Sequence, residues 1–302
     1  MKRILILPGG GVMGAITLSC LEKVEAWTEE HLGLYIHEFD LLVGTSAGGI
    51  SAGCIGSGKV NAGEMLDLFS DCIPKAFRRR FLRVYPRYKR TAITKAILDS
   101  LGPGLKMSDL ATRVIITAVR ARDKTNHYFK SWQPKDGHLP VLECINRTYA
   151  APVYFGKWKT PGTREVWLDG GTGSQNTPIV AGVWEAMRQG WLGNERVHVL
   201  SVGTGFSPEV TGWDKLRRMR LFREVAMYMD PADGGLARYQ SLNDNVKAAE
   251  DLVDKVPGFT FQHVDRRVPR KQNRLDGVKY LDKYIAYGRE MAERVNYEDL
   301  RQ

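Results

Sequence analysis

The sequence has few cysteines and no long apolar run. Its four cysteines, Cys20, Cys54, Cys72 and Cys144, are widely spaced and form no CxxC pair. We therefore expect neither a zinc site nor a redox dithiol. We expect the cysteines to be reduced, as they are in the cytosol. The apolar run before Pro8 is too short for the core of a signal peptide. No window approaches the roughly 18 apolar residues of a membrane span. We expect a cytoplasmic protein, unless a non-classical route exports it.

Internal repeats and low-complexity tracts are also lacking. Hydrophobic residues make up 43% of the 302 residues and charged residues 26%, an ordinary globular balance that excludes disordered and collagen-like chains. A chain of this length buries about three quarters of its unfolded surface, so its core requires no disulfide or metal. We expect a globular protein with no metal site.

Acidic residues are missing from one long basic segment. The net charge is +10, and the segment from Lys75 to Arg90 carries eight basic residues and no acid. Without this segment the chain would carry only +2. Such a concentration of positive charge favours an anionic partner: a membrane surface, a nucleotide or a nucleic acid.

Apolar strands alternate with helices through the first two hundred residues. Strands are predicted at Arg3–Leu7, Phe39–Val43, Val114–Val119, His127–Trp132, Glu165–Leu168 and Val197–Val202. Helices are predicted at Gly14–Glu30, 44–57, Asn61–Ser70, Leu142–Ala150 and Pro178–Gln189. This alternation indicates an α/β fold whose mainly parallel central sheet is covered on both faces.

The pattern changes after Gly205. Helices are predicted at Thr211–Met229, Leu242–Val256 and Tyr280–Val295, with one strand at Phe259–His263. We expect a catalytic core over residues 1–205 and a helical C-terminal region over residues 206–302. Because no Gly/Ser/Pro linker separates them, we expect one continuous domain.

A serine stands at a strand-to-helix turn. The run Gly44-Thr45-Ser46-Ala47-Gly48 follows a buried strand and opens a helix, which is the context of a G-x-S-x-G nucleophile elbow. Gly44 and Gly48 have no Cβ, so neighbouring backbone can approach closely. The helix N-terminus favours negative charge at the serine oxygen. The alternative is a glycine-rich turn without chemistry.

A glycine run follows the first strand. Gly9-Gly10-Gly11-Val12-Met13-Gly14 satisfies GxGxxG, but a dinucleotide site requires an acidic residue at the end of the second strand. Here Asp40 precedes the apolar part of that strand, Leu41–Val43, and does not end it, so this interpretation is weak. Successive glycine amides form an anion-binding nest, and the amides of residues 9–11 are candidates for an oxyanion hole facing Ser46. The alternative is tight packing alone.

The base that would serve Ser46 is not an obvious histidine. His198 lies inside an apolar strand, and His263 is the late candidate for a Ser-His-Asp triad. Asp169 ends a predicted strand and precedes Gly170 and Gly171, so it can project over the carboxyl edge of the sheet, where open α/β sheets place their sites. Asp169 could accept the proton of Ser46 directly, although Asp-Gly turns are also common without function.

The ordered motifs resemble the patatin-like phospholipases. They are a glycine loop, G-x-S-x-G about thirty residues later, the segment Ala150–Phe155, and Asp-Gly-Gly followed by Asn176 and Pro178. The resemblance covers residues 3–205 and implies a patatin-like three-layer α/β/α fold. It further implies a phospholipase with a Ser46–Asp169 dyad and an oxyanion hole at Gly10 and Gly11, without a cofactor or metal. Met13 departs from the family, whose loops usually have Arg or Lys there.

The basic residues suit an enzyme that must reach a bilayer. Aromatic residues interleave with the arginines of the segment from Lys75 to Arg90, a combination suited to a membrane interface with anionic lipid heads. Size, cytoplasmic character and basic surface resemble the bacterial antiphage effectors of this family that cyclic nucleotides activate (CBASS). Candidates for binding lipid heads or nucleotide phosphates are Arg78, Arg79, Arg80, Arg83, Arg266, Arg267 and Arg270.

The expected function is hydrolysis of membrane phospholipid esters at the inner face of the membrane, with a cyclic dinucleotide as candidate activator and no nucleic-acid partner. The sequence leaves a homo-oligomer open. One alternative is a nucleotide- or nucleic-acid-binding module without catalysis. Another is a Ser-His-Asp esterase or thioesterase that uses His263.

Overall fold

A mixed sheet forms the centre of the described chain. The structure, a computed structural model, describes residues 1–78, 86–207 and 236–301. The described strands are β1 (Lys2–Leu7), β2 (Leu41–Thr45), β3 (Arg113–Arg120), β4 (Thr125–Lys130), β5 (Trp158–Lys159), β6 (Val166–Asp169), β7 (Val197–Val202) and β8 (Phe259–Val264). They form one sheet in the order β5-β6-β3-β2-β1-β7-β8, and β4 also pairs with β3.

Strands β3, β2, β1, β7 and β8 run parallel to one another. The three remaining strands form an antiparallel edge, since β4 and β6 pair antiparallel with β3, and β5 pairs antiparallel with β6. The prediction of a mainly parallel sheet is confirmed for the five strands that carry most of the core.

The described helices cover both faces of this sheet. They are α1 (Gly14–Leu32), α2 (Ala47–Ile55), α3 (Ala62–Ala76), α4 (Thr91–Leu101), α5 (Pro134–Gly137), α6 (Val141–Thr148), α7 (Ile179–Arg188), α8 (Leu236–Val253), α9 (Leu281–Ala292) and α10 (Glu298–Arg301). Buried side chains of α1, α2, α3, α4, α6 and α9 share one core cluster, and those of α7 and α8 share the other. The three-layer α/β/α architecture is therefore confirmed.

The continuous apolar runs of the central strands follow from this covering. In β1, Leu5 and Leu7 belong to one core cluster, while Ile4 and Ile6 belong to the other. Successive side chains of a strand point to opposite faces. A strand packed against helices on both sides must therefore be apolar at every position.

Among the described helices that differ from the prediction, α3 and α4 lie nearest the basic segment. Helix α3 continues through Pro74 to Ala76 instead of ending at Ser70, because Ile73 and Ala76 extend the buried face that Met65 and Phe69 begin. Helix α4 was not predicted. It buries Ile93, Ile97 and Leu101 at helical spacing directly after the basic segment.

The described part of the C-terminal region contacts the core. Strand β8 pairs with β7, and α9 packs against α1. The helix predicted over Thr211–Met229 lies outside the described residues. The boundary at residue 205 stays a prediction.

A buried ion pair joins the antiparallel edge to the covering helices. Lys130 of β4 donates to the Glu185 carboxylate of α7, and the side chains are 13% and 2% exposed. Removing one partner of a buried pair leaves the other charge uncompensated. We predict that Glu185→Gln lowers the free energy of unfolding by about 3 kcal/mol in urea denaturation.

The control is the ion pair Lys95–Asp99 of α4. Its side chains are 76% and 61% exposed. Solvent screens such a pair, so Asp99→Asn should change the unfolding midpoint little. If the two variants lost the same free energy of unfolding, burial would not determine how much the Lys130–Glu185 pair stabilises the protein.

Candidate active site

Ser46 occupies a strained turn between β2 and α2. Its backbone has φ 54° and ψ −120°, a conformation that costs a non-glycine residue about 1–3 kcal/mol and persists only where its surroundings impose it. The flanking glycines are required sterically. A Cβ on Gly44 would lie 2.3 Å from the Gly48 carbonyl oxygen, and one on Gly48 would lie 2.1 Å from the Leu7 carbonyl oxygen. Ser46 thus lies at a tight strand-to-helix turn between two glycines.

Asp169 lies beside Ser46 at the end of β6. Ser46 Oγ donates to Asp169 Oδ2 at 2.7 Å, and the Gly171 amide donates to Asp169 Oδ1 at 2.7 Å. The aspartate is 7% exposed. Gly170 is needed because a Cβ there would lie 2.3 Å from Thr117 Oγ1. The backbone thus holds Oδ1 of Asp169, and this orients Oδ2 toward the Ser46 hydroxyl.

The glycine loop lies against the same serine. A Cβ on Gly9 would lie 3.1 Å from Ser46 Cβ. Gly11 has φ +56°, and a Cβ there would lie 2.4 Å from the Leu275 carbonyl oxygen. Within the described residues, the amides of Gly10 and Gly11 have no acceptor. Two backbone donors beside the serine are therefore available to an anion.

Two distant segments hold this loop. Asn176 brackets Gly9, since its carbonyl oxygen accepts from the Gly9 amide at 2.9 Å and its Nδ2 donates to the Gly9 carbonyl at 3.3 Å. The Leu275 carbonyl accepts from the Val12 amide at 2.9 Å. The motif around Asn176 is visible in the sequence. Leu275 carries no local signal, because its role depends on a contact across more than 260 residues. Met13 is 2% exposed and packs in the core, so this loop position is apolar here.

An apolar cavity opens onto these groups. It has a volume of about 370 Å³, and Ser46, Asp169 and the glycine loop are on its wall. Its apolar wall includes Ile50, Phe69, Ile73, Phe77, Ile93 and Phe155. A cavity with this lining suits a hydrocarbon chain placed next to a polar reacting group.

The last residue of α6 and the residues that follow it contact both Ser46 and Asp169. Thr148 Oγ1 accepts from the Ser46 amide at 2.8 Å, and the Ala150 carbonyl accepts from the Asp169 amide at 3.0 Å. Tyr149, between them, lines the cavity. The sequence motif Ala150–Phe155 includes Ala150 but neither Thr148 nor Tyr149, and it does not reveal these contacts.

Arg90 is half-buried although it belongs to the basic segment. Its guanidinium donates to the carbonyls of Asn146 and Gly156 at 3.0 and 2.7 Å. It also lies 4.6 Å from the Tyr149 ring centre. Desolvation by burial lowers the pKa of Arg90, and the charges of Tyr149 and Asp169 partly oppose this shift. Arg90 is therefore part of the framework behind the cavity.

The histidines considered from the sequence lie elsewhere. His263 is on β8, three strands from β2 in the sheet, and its Nδ1 is 3.0 Å from Ser201 Oγ. His198 is fully buried, and desolvation lowers its pKa to about 4, so it is neutral at pH 7. Among the described residues that line the cavity, none is a histidine.

The basic candidates are only partly described. Arg78 is exposed just beyond α3, while Arg79, Arg80 and Arg83 lie outside the described residues. Arg266 pairs with Glu290, and its guanidinium carbon is 3.9 Å from the Tyr287 ring centre. Arg267 and Arg270 are exposed on the segment that leads to Leu275.

Within residues 1–78, 86–207 and 236–301, no group of three His, Cys, Asp or Glu side chains could hold a metal ion. None of the helices described there is long and apolar enough to cross a bilayer.

Curated relatives share much of the chain. A cGAMP-activated phospholipase of Escherichia coli (strain TW11681) is 31% identical over 67% of this chain and 62% of its own length. One of Vibrio cholerae serotype O1 is 32% identical over 62% of this chain and 58% of its own length. A cUMP-AMP-activated phospholipase of Escherichia coli is 24% identical over 68% of this chain and 66% of its own length. The chain thus spans about three fifths of the two cGAMP-activated relatives.

The family is established by a match over more than half of the chain. Residues 5–182 match the model of the patatin-like phospholipases. This range contains the glycine loop, the Ser46 elbow, the segment after α6 and Asp169. The chain belongs to the patatin-like phospholipase family.

Proposed function

We propose that this protein is a lipid acyl hydrolase in which Ser46 is the nucleophile and Asp169 the base. The observation that carries the proposal is the 2.7 Å hydrogen bond from Ser46 Oγ to Asp169 Oδ2, at the wall of an apolar cavity beside two glycine amides. A nucleophile needs a base within hydrogen-bonding reach. Family membership supports the same chemistry.

In the acylation step, Asp169 takes the proton from Ser46 Oγ while Oγ attacks the ester carbonyl carbon. The carbonyl electron pair moves to oxygen, and the amides of Gly10 and Gly11 donate to that oxyanion. When the tetrahedral intermediate collapses, the bond to the alcohol oxygen breaks. Asp169 then returns its proton to the leaving lysolipid. Donors placed in advance for developing charge are usually the largest contribution to such a reaction.

In the deacylation step, Asp169 takes a proton from water, and the resulting hydroxide attacks the Ser46 ester. The same amides hold the second oxyanion. Collapse breaks the bond to Ser46 Oγ, which recovers the proton from Asp169, and the fatty acid leaves. Water is the only co-substrate of the reaction. Asp169 returns each proton that it accepts within the same half-reaction, so it ends each half-reaction ionised.

The cavity supports a long-chain acyl substrate. Its wall on one side is formed by apolar side chains of α2, α3 and α4, while the polar groups converge at one end. We propose that the acyl chain of a membrane phospholipid lies along this wall and that the basic surface contacts anionic head groups. The enzyme would act peripherally, at the inner face of the membrane.

We predict that Ser46→Ala abolishes ester hydrolysis, with a loss of at least ~10³-fold in kcat. Asp169→Asn should be nearly as severe, and the double variant no worse than either, because residues that act as a unit are not additive. The assay is hydrolysis of a p-nitrophenyl ester and of phospholipid vesicles, with circular dichroism to verify folding.

Ser51→Ala is the matched control, since Ser51 lies on α2 and its hydroxyl donates to the Ala47 carbonyl at 3.1 Å, away from the carboxylate. It should keep activity, as should His263→Ala. A folded Ser46→Ala enzyme with wild-type turnover would contradict the dyad. A folded but inactive His263→Ala enzyme would favour the histidine triad instead.

The glycine loop gives a second prediction. Gly11→Ala must strain a φ of +56° and displace the Leu275 carbonyl, which moves the amides away from the oxyanion. We expect kcat to fall by ~10²–10³-fold, the cost of losing one such donor. The measurement is kcat for the soluble ester at saturating substrate.

Gly193→Ala is the control for backbone strain alone. Gly193 also has a positive φ, +81°, but a Cβ there meets nothing within 4 Å. This variant should lose some stability and keep its kcat. If both variants lost activity equally, misplacement of the Gly10 and Gly11 amides would not be the cause.

We also propose that a cyclic dinucleotide activates the enzyme, in antiviral defence. The support is the naming of the relatives as cGAMP-activated or cUMP-AMP-activated phospholipases and a surplus of arginine that the reaction does not use. Arg267 and Arg270 lie on the segment leading to Leu275, whose carbonyl holds Val12 in the glycine loop. An anion bound there would have a short route to the oxyanion donors.

A soluble ester assay without any bilayer tests this control. We expect cGAMP or cUMP-AMP to raise the rate. A complete switch from 1:99 to 99:1 requires about 5.5 kcal/mol of differential binding. Arg267→Gln and Arg270→Gln should raise the activating concentration at least about tenfold without changing the maximal rate, because a hydrogen bond to a charged group contributes about 1.5–3 kcal/mol.

Arg164→Gln is the matched control, since Arg164 is exposed on the loop between β5 and β6. It should leave the activating concentration unchanged. Full activity without any nucleotide, together with salt-sensitive vesicle binding, would contradict activation and leave the arginines a docking role only.

A further inference from the structure

The residues Thr148, Tyr149 and Ala150 connect the two halves of the proposed dyad. The Ser46 amide donates to Thr148 Oγ1 at 2.8 Å, and the Asp169 amide donates to the Ala150 carbonyl at 3.0 Å. One short segment is therefore bonded to the main chain of the nucleophile and to that of the base. The backbone of each sets where its short side chain can reach.

The bond at Ser46 acts on the strained residue itself. A φ of 54° persists only where the surroundings define the conformation. The Ser46 amide is tied to a threonine that is 0% exposed. That threonine is also confined, because a Cβ on Gly49 would lie 2.7 Å from Thr148 Cγ2. The acceptor for the Ser46 amide therefore has little freedom to move.

We infer that residues 148–150 form a spacer that sets the distance between Ser46 Oγ and Asp169 Oδ2, with Thr148 as a positioning residue for the nucleophile. This inference rests on the proposed function. Thr148 is not among the residues that line the cavity. It acts on the Ser46 main chain, and the Ala150 carbonyl acts in the same way on Asp169.

Arg90 anchors the spacer from behind. Its guanidinium donates to the carbonyl of Asn146, which precedes the spacer, and to the carbonyl of Gly156, which follows it. It also lies 4.6 Å from the ring centre of Tyr149 inside the spacer. One cation thus bonds to the main chain on both sides of the spacer. The fixed fork of donors on a planar guanidinium suits this role better than a compact, flexible ammonium does.

Thr148→Val tests the spacer, because valine keeps the shape of threonine and removes the acceptor for the Ser46 amide. We expect kcat for a soluble p-nitrophenyl ester to fall by ~10–10²-fold, since small misplacements of reacting groups have effects of this size. KM should stay within about twofold, because the apolar cavity wall is intact. Thr148→Ser restores the hydroxyl and should restore most of kcat.

Thr28→Val is the matched control for a lost buried hydroxyl. Thr28 is also 0% exposed, and its Oγ1 donates to the Glu25 carbonyl in α1. If Thr148 had only a structural role, Thr28→Val and Thr148→Val would lower the unfolding midpoint and leave kcat per folded molecule unchanged. That result would overturn the inference.

Arg90→Lys decides the matter if Thr148→Val does not fold. It should lower kcat about tenfold with unchanged KM, and wild-type kcat in the folded Arg90→Lys enzyme would contradict the spacer. The two proposals fail separately. Turnover in the folded Ser46→Ala enzyme would contradict the dyad itself. An inactive Ser46→Ala enzyme together with a fully active Thr148→Val enzyme would support the dyad and contradict the spacer.

Discussion

The hydrogen bond from Ser46 Oγ to Asp169 Oδ2 joins two strands that are not neighbours in the sheet. Strand β3 lies between β2 and β6, so the two strands are separated by roughly 10 Å, twice the spacing of neighbouring strands. The two side chains can meet only if the residue of β3 between them is small. That residue is Thr117, whose Oγ1 lies 2.7 Å from Thr45 Oγ1 and would lie 2.3 Å from a Cβ on Gly170. A larger residue at position 117 or 170 would separate the pair.

The direction of β6 also shapes the site. A position at the carboxyl edge of a parallel sheet was the reason to expect Asp169 near Ser46, yet β6 runs antiparallel to β3. Asp169 is level with Ala118, one residue beyond Thr117, the partner of Thr45 at the end of β2. The strand therefore approaches from beyond the carboxyl edge and ends where β2 ends. Asp169 therefore lies near Ser46 as expected, but on an antiparallel strand and not on a parallel one.

The groups with local signatures were predictable, and those without were not. Ser46, Asp169 and the glycine loop each lie in a turn whose glycines are required sterically, so a few adjacent residues specify the geometry. Thr148 and Leu275 act through contacts with residues about one hundred or more than two hundred positions away, which no local pattern encodes. Helix α4 has buried residues at helical spacing, but its N-cap residue, Arg90, makes no side-chain capping hydrogen bond, so no capping signal in the sequence marks where it begins.

Charge counting alone overstates the anion-binding surface of this chain. Arg90 belongs to the basic segment by sequence, but it holds carbonyl oxygens and an aromatic ring inside the protein. Arg266 is paired with Glu290, and Arg274 Nε lies 3.5 Å from Asp276 Oδ1. An arginine whose donors are already bonded must give up those bonds before it binds a phosphate, so its net contribution to binding is small. Arg78, Arg267 and Arg270 are exposed, so a lipid head group or a nucleotide can reach them from the solvent.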